Sequence, residues 1–260
     1  MLAYHCVGCG DIIEQRLGRV TDKKFQTPRI ARIPGENCSY CERPYHVAGP
    51  MWGGQLHDAD FIDEVLTINS DASPEVYGTR ERIKGMLTLA KNELALPFYF
   101  NLNQLSSFMR SPPISIDEFA RAVGNLGHNV SLTHAKKNCV KTDAPWEQVL
   151  QIAIAWLRRS NERLLKEYKE KLEAETKEEK RQKLQEKISR LEADLGSSPS
   201  LTSGMVGFKI LQTVSANDKI DFDTCNEQSD KLGNLRKLKM VRYQENPTKD
   251  WGPKSRPSKK

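Results

Sequence analysis

Apolar residues recur at three- and four-residue intervals along much of the chain, which is the spacing of one face of an α-helix. Asn101 and Ser115 precede two such stretches and Pro145 begins a third, as is typical of helix starts. The pattern predicts helices over residues 57–66, 74–94, 102–109 and 116–126 and from residue 145 onward. Strands are predicted from residue 45, around Val130, Leu132 and Val140, and over residues 208–214.

Residues 98–156 have the predicted order helix, helix, strand, turn, strand, helix, which is typical of a winged-helix-like module. The turn at residues 134–138 is basic and predicted to be exposed. Trp146 and Trp156 lie at helical spacing among apolar neighbours. We therefore expect both tryptophans in the core rather than stacked on nucleic-acid bases.

Residues 161–195 are rich in Glu and Lys with sparse leucines. Leu184, Ile188 and Leu191 step at heptad-like spacing, so a short coiled coil is one interpretation and a solvated helix with salt bridges is the other. Residues 196–200 are predicted to be a flexible linker. We expect the rest of the chain to be mostly extended or disordered.

Two Cys-x-x-Cys pairs open the chain, formed by Cys6 with Cys9 and by Cys38 with Cys41. This spacing predicts a closed, tetrahedral four-thiolate Zn²⁺ site of structural rather than catalytic type. Two disulfides are the alternative, but the N-terminus does not resemble a secretory signal. His5 and His46 flank the pairs and are expected to be neighbours of the site rather than ligands, since four thiolates already complete the coordination.

The composition favours one or two modest domains over a single large enzyme core, with 260 residues, 38% hydrophobic and 7% aromatic. The net charge is +6, and basic residues outnumber acidic ones severalfold after Leu232, so we expect the tail to bind polyanions. No apolar run is long enough to span a bilayer, and the chain is expected to be intracellular.

The predicted fold class is α+β. Residues 1–56 are expected to form a small zinc-ribbon-like segment and residues 57–160 a winged-helix-like domain. Residues 161–203 are expected to be a charged helix with a linker, and residues 204–260 a mostly extended basic tail.

Several short strings, taken in order, resemble the C-terminal half of the tRNA guanine-26 N2-dimethyltransferase family. They are CVGCG at residues 6–10, HVAGPMW at 46–52, SLTHA at 131–135, KTDAP at 141–145 and RYQENP at 242–247. Members of this family transfer methyl groups from S-adenosylmethionine to a guanine of tRNA. The resemblance covers about the first 157 residues and about the last 20.

The resemblance implies a donor-binding, Rossmann-like domain upstream, with a catalytic Asp-Pro-Phe/Tyr motif. Neither that motif nor a glycine-rich loop between a strand and a helix occurs in this sequence. We therefore expect a fragment, short isoform or truncated gene model that has no catalytic or S-adenosylmethionine-binding residues and is inactive in methyl transfer by itself.

The expected partners are tRNA and the absent catalytic domain, in a nuclear or mitochondrial pool. Because phosphate contacts position a folded RNA, the expected contacts are basic residues on a rigid scaffold. They are Arg80, Arg82, Lys84, Lys136, Lys137, Lys141, Arg242, Lys254 and Arg256.

Two other functions fit parts of the sequence. A zinc-ribbon and winged-helix DNA-binding regulator would use residues 116–126 as its recognition helix, but that stretch offers one basic residue, Arg121, against two acidic ones. A coiled-coil scaffold would use residues 166–195, where the heptads are weak.

Overall fold

Small antiparallel sheets alternate with helices along the chain. The structure is a computed structural model that describes residues 1–30, 35–198 and 200–238. The strands are β1 Leu2–Cys6, β2 Ile12–Gln15, β3 Arg19–Thr21, β4 Lys24–Gln26, β5 Tyr45–Ala48, β6 Phe100–Asn101, β7 Val130–Leu132 and β8 Cys139–Thr142. The helices are α1 Ala59–Asp71, α2 Arg80–Lys91, α3 Leu102–Met109, α4 Ile116–Asn125, α5 Trp146–Ala174, α6 Glu178–Ala193, α7 Val206–Thr213 and α8 Glu227–Lys237.

The N-terminal sheet has the strand order β2–β1–β5. Its antiparallel register places Tyr4 of β1 opposite Ile13 of β2 and Val47 of β5. The first cysteine pair lies at the end of β1 and the second shortly precedes β5, so this sheet brings the two pairs together. The hairpin β3–β4 occupies part of the spacer between the pairs.

The elements of residues 98–156 follow the predicted order, and β6 extends their sheet to the order β6–β8–β7. Asn101 accepts hydrogen bonds from the N–H groups of Asn103 and Gln104 at the start of α3, and Ser115 accepts one from Glu118 at the start of α4. Both predicted caps are thus confirmed. The winged-helix and zinc-ribbon classes of the two parts stay predictions.

The core of residues 98–174 lies where the helices α3, α4 and α5 meet the sheet β6–β8–β7. Trp156 is buried in it and donates its indole N–H to the carbonyl oxygen of Pro112 at 2.8 Å. Trp146 packs against it with its ring edge-on to Phe100. The predicted core role is confirmed for Trp156, whereas Trp146 is half-buried at the edge of the core. Fully buried members include Leu102, Met109, Phe119, Val123, Val140, Leu150 and Leu157.

Two helices begin later than predicted. The side chain of Asp58 accepts a hydrogen bond from the N–H of Phe61 at 3.0 Å, so Asp58 is the cap of α1 rather than part of its first turn. The helix α2 begins well after residue 74, because the N–H of Tyr77 bonds to the carbonyl oxygen of Ser73 in a separate turn.

The charged stretch forms a helical hairpin instead of a separate helix. The long helix α5 continues past the boundary predicted at residue 160, and α6 packs back against it. Asn161 of α5 is buried and donates hydrogen bonds to the carbonyl oxygens of Leu195 and Ser197. The helix α5 runs through residue 160, and Ser197 of the predicted linker is bonded to it, while the division into domains stays a prediction.

The segment after residue 200 is folded onto the core as far as residue 238. The strand predicted over residues 208–214 is wrong, because Val206–Thr213 is the helix α7. Ile210, Phe222 and Leu232 are buried, so the predicted extended tail is also wrong over this range. The helix α7 approaches α3 so closely that a Cβ atom on Gly207 would clash with the backbone carbonyl of Phe108. Residues 239–260 lie outside the described ranges.

Within the described ranges, every helix is too short or too polar to cross a lipid bilayer.

Candidate functional site

The two cysteine pairs form knuckles with the same backbone hydrogen bonding. The carbonyl oxygen of Cys6 accepts from the N–H of Gly10 at 3.1 Å, and that of Cys38 accepts from the N–H of Glu42 at 2.9 Å. A Cβ atom on Gly8 would lie 2.9 Å from the sulfur of Cys41, so the close approach of the knuckles requires glycine there. The repeated backbone geometry presents all four thiols to one point.

The sulfur geometry fits a metal ion and not a pair of disulfides. The sulfurs of Cys6 and Cys41 are 3.4 Å apart and those of Cys9 and Cys38 are 3.6 Å apart. Disulfide sulfurs lie about 2.05 Å apart. Four thiolates on one tetrahedral Zn²⁺ at about 2.3 Å would lie about 3.8 Å from one another. All four cysteines are 2% exposed or less, and all are free thiols.

Hydrogen bonds within the cluster favour the ionised thiolate at Cys38, but they raise the pKa of the Cys9 and Cys41 thiols. Hydrogen bonds from Cys41, Cys6 and Cys9 lower the pKa of the Cys38 thiol far below its usual range. Four buried thiols within reach of one point are the ligand set of a structural metal site with closed coordination.

The helix α7 supports the second knuckle from outside. Thr213 donates its hydroxyl to the carbonyl oxygen of Tyr40 at 2.7 Å, and the ammonium group of Lys209 lies 2.9 Å from the carboxylate of Glu42. Arg43 donates to the carbonyl oxygen of Gly204 at 2.8 Å. The C-terminal segment thus braces the cysteine cluster, a relationship that sequence reasoning missed.

A cleft of about 380 Å³ separates the first knuckle from the helical part. Phe100 is held edge-on between Phe119 and Trp146, with ring centroids 5.7 Å and 5.2 Å away. Tyr99 also lines the cleft and is 42% exposed, and Lys136 supplies a cation. Aromatic faces beside a cation suit an unpaired nucleotide, whose base stacks and whose phosphate is negatively charged.

A second cluster centres on Glu93, which sequence reasoning did not identify. Its side chain is 1% exposed, and its carboxylate contacts nitrogen atoms of three side chains that are distant in the sequence. The ring nitrogen Nδ1 of His134 is 2.7 Å from one carboxylate oxygen. The ammonium group of Lys141 is 2.9 Å from the other oxygen, and Nε2 of His57 is 3.5 Å from it.

Burial by itself would raise the pKa of Glu93. The backbone N–H of His134 and the side chains of Lys141 and His134 outweigh it and lower the pKa to about 2. The two histidines and the carboxylate lie close enough together to hold a metal ion. Lys141 supplies a positive charge at this carboxylate, so the cluster forms a buried ion-pair network.

The predicted RNA-contacting residues occupy different environments. The prediction for Lys141 is wrong, because its side chain is 4% exposed and paired with Glu93. Arg80 donates to the carbonyl oxygens of Asn69 and Ser70 at the end of α1, where it satisfies helix-terminal acceptors.

The other predicted contacts stay predictions. Lys84 is exposed and Arg82 half-buried on α2, while Lys136 and Lys137 are exposed in the turn between β7 and β8. Arg242, Lys254 and Arg256 lie outside the described residues.

The sequence profile of a known family matches residues 1–154, and that family is described as N2,N2-dimethylguanosine tRNA methyltransferase. Curated relatives are similar along nearly the whole chain. The tRNA (guanine(26)-N(2))-dimethyltransferase of Schizosaccharomyces pombe is 38% identical over 100% of this chain and 42% of its own length. The mitochondrial enzyme of that name from Saccharomyces cerevisiae is 37% identical over 99% of this chain and 43% of its own length.

The human tRNA (guanine(26)-N(2))-dimethyltransferase is 32% identical over 98% of this chain and 34% of its own length. Among solved structures, Trm1 from Pyrococcus horikoshii in complex with S-adenosyl-L-methionine matches 58% of this chain and 34% of that chain, with 17% identity and a TM-score of 0.41. The chain spans less than half the length of these curated relatives. On the match of residues 1–154, the chain belongs to the N2,N2-dimethylguanosine tRNA methyltransferase family.

Proposed function

We propose that this chain is the tRNA-binding, zinc-bearing part of a methyltransferase that forms N2,N2-dimethylguanosine at guanine 26 of tRNA. The observation that carries the proposal is the cleft beside the first knuckle, in a chain of this family. Its exposed Tyr99 and its cation Lys136 are the side chains expected to receive an unpaired nucleotide. An enzyme that modifies one base must expose that base while it holds the rest of the RNA.

The role proposed for Zn²⁺ is structural. The cysteine cluster would hold the ion with four thiolates. This ligation would fix the N-terminal sheet against the helices next to the cleft. When bound, the ion supplies folding free energy on the order of 10 kcal/mol, as structural zinc sites do. The chemistry of methyl transfer does not involve this site in the proposal.

We also propose that this chain does not bind S-adenosylmethionine by itself. A Rossmann-like donor site needs parallel strands and a glycine-rich loop at a helix start. All strand pairs in the described ranges are antiparallel, and the sequence has no such loop between a strand and a helix. Calorimetric titration with S-adenosylmethionine should show no binding, and a measurable heat of saturable binding would contradict this part of the proposal.

Contacts of α4 argue against duplex DNA as the ligand. In the alternative, DNA-binding function, α4 would be the recognition helix. Arg121 donates to the carbonyl oxygen of Phe222, and Asn125 donates to that of Asp221. These polar side chains are bonded to the C-terminal segment instead of being presented to a major groove.

The test compares binding of folded tRNA and duplex DNA at physiological salt. Tyr99→Ala should weaken tRNA binding about 5- to 150-fold, since one stacked base contributes about 1–3 kcal/mol. Tyr99→Phe keeps the aromatic face and should bind as the wild type does. Tyr77, which is similarly exposed and lies outside the cleft, provides the matched control Tyr77→Ala. Equal affinity of the wild type for tRNA and duplex DNA would refute the proposal.

A further inference from the structure

The helical hairpin of α5 and α6 forms one wall of a basic groove, and Arg110 lies at the opposite wall. The groove has a volume of about 680 Å³ and lies between the hairpin and the turn that follows α3. Its cations are Arg110, Arg163, Lys187 and Arg190, and its acidic residue is Glu167. The carboxylate of Glu167 is already paired with Lys171 of the same helix. The lining is therefore strongly positive.

Two of the cations lie over aromatic rings. The guanidinium of Arg163 is 5.4 Å from the ring centre of Trp156, and the ammonium group of Lys187 is 5.4 Å from that of Tyr168. Such contacts hold a long, flexible side chain in place while its charge stays at the surface. The groove thus has cations in set positions above an apolar floor.

Three of the cations are available for a ligand. Arg110, Lys187 and Arg190 are exposed, and none of the three forms an ion pair with another described residue. Arg163 differs from them, because it lies 3.3 Å from the carboxylate of Glu118. The position of Arg110 is fixed by the end of α3, where it is the capping residue with a left-handed backbone.

We propose that this groove binds the phosphate backbone of tRNA. Concentrated Arg and Lys side chains with an aromatic residue among them are the chemistry that RNA backbones and adjacent bases require. Most of the groove lies beyond residue 154, where the match to the family profile ends, and it shares no lining residue with the cleft beside the first knuckle, so it is a second contact surface. The proposal rests on tRNA being the ligand of the chain.

The test neutralises the three unpaired cations in one chain, with Arg110→Gln, Lys187→Gln and Arg190→Gln. The matched control neutralises three exposed lysines of the same hairpin that do not line the groove, with Lys166→Gln, Lys177→Gln and Lys183→Gln. Binding of folded tRNA is measured over a range of salt concentrations, and thermal unfolding verifies that both variants are folded.

The groove variant should lose about tenfold or more in tRNA affinity at physiological salt, and its log–log salt slope should decrease by about 2–3. The control variant should lose less than about threefold, since long-range charge effects are screened. If the wild type binds tRNA and the groove variant binds it equally, with an unchanged slope, the groove proposal fails and the proposed function stands.

Two further outcomes separate the alternatives. If the wild type does not bind tRNA, the proposed function fails and the groove proposal fails with it. Unlabelled tRNA and polyglutamate are compared, at equal charge concentration, as competitors for bound labelled tRNA. If polyglutamate displaces it equally well, the groove is a general anion surface, which contradicts its assignment to RNA. Competition by tRNA alone supports the assignment.

Discussion

Gly10 and Glu42 occupy the same position in the two cysteine knuckles. Each donates its backbone N–H to the first cysteine of its knuckle, and each has a left-handed backbone, with φ of +87° and +59°. Glycine adopts this conformation without steric cost, whereas for a residue with a Cβ atom it costs about 1–2 kcal/mol. The second knuckle is therefore strained where the first is not.

Replacing Glu42 by glycine should stabilise the protein. Relief of the strain is partly offset by loss of the exposed ion pair with Lys209, which is worth about 0–1 kcal/mol. The expected net gain in unfolding free energy is about 0.5–1 kcal/mol, measured by denaturant titration of the metal-loaded protein. Lys209→Gln isolates the ion-pair contribution, and Gly10→Ala should destabilise by about 1–2 kcal/mol. A Glu42→Gly protein less stable than the Lys209→Gln protein would contradict the account.

Zinc content tests the cysteine cluster directly. The purified chain should contain about one Zn²⁺, as expected for four thiolates around one ion. Cys38→Ser should remove the metal and unfold the N-terminal sheet, because structural zinc supplies much of the folding free energy of such small segments. Cys225 is exposed and outside the cluster, so Cys225→Ser is the matched control and should retain the ion. Metal retained by the Cys38→Ser chain would rule out the four-thiolate site.

The Glu93 network should make stability depend on pH in the acid range. The folded pKa of about 2 lies below the ordinary value of 4.5, so the network's contribution is fully present above about pH 4.5. It should be lost as the pH falls from about 4.5 to about 2, by an amount on the order of 3 kcal/mol. Unfolding free energies of the wild type and of Glu93→Gln, measured across this range, should converge at low pH. Parallel curves would contradict the prediction.

At neutral pH, Glu93→Gln should destabilise the protein by about 3–5 kcal/mol, because it leaves the buried ammonium group of Lys141 without its counter-charge. Glu81 is an exposed glutamate on the neighbouring helix α2, and Glu81→Gln should change the unfolding free energy by less than about 0.5 kcal/mol. Thermal or denaturant unfolding measures both. Similar effects of the two substitutions would show that Glu93 does not anchor the network.

The C-terminal helices should be required for stability. Ile210→Ala in α7 and Leu232→Ala in α8 each remove a fully buried side chain and should lower the unfolding free energy by about 2–5 kcal/mol. Leu238 is half-exposed, and Leu238→Ala should cost less than about 0.5 kcal/mol. Small effects at Ile210 and Leu232 would indicate that this segment separates from the core in solution.

Sequence patterns predicted the elements whose signals are local. Asn101, Ser115 and Pro145 define helix starts through contacts with residues only a few positions away, and these were correct. The four cysteines were found because metal-binding spacing is itself a local signal. The strand predicted over residues 208–214 failed because β-branched residues there favour a strand locally, whereas packing of Ile210 against the core favours a helix.

The Glu93 network could not be predicted in the same way. His57, Glu93, His134 and Lys141 lie far apart in the sequence, and each alone has the appearance of an ordinary polar residue. From the sequence, Lys141 is simply one more lysine near the basic turn at residues 134–138. Only the folded chain shows that β8 directs it toward a buried carboxylate, where charge pairing outweighs the cost of burial.

The contact between Thr213 and Tyr40 has a consequence for biosynthesis. The two residues are 173 positions apart. At about 5–20 residues per second, translation therefore takes about 10–35 s between the second knuckle and the helix that braces it. During that interval a nascent chain carries four thiols whose geometry the C-terminal segment does not yet support. Capture of zinc at the ribosome would precede completion of the fold, so the supply of metal during translation would limit the yield of correctly folded protein.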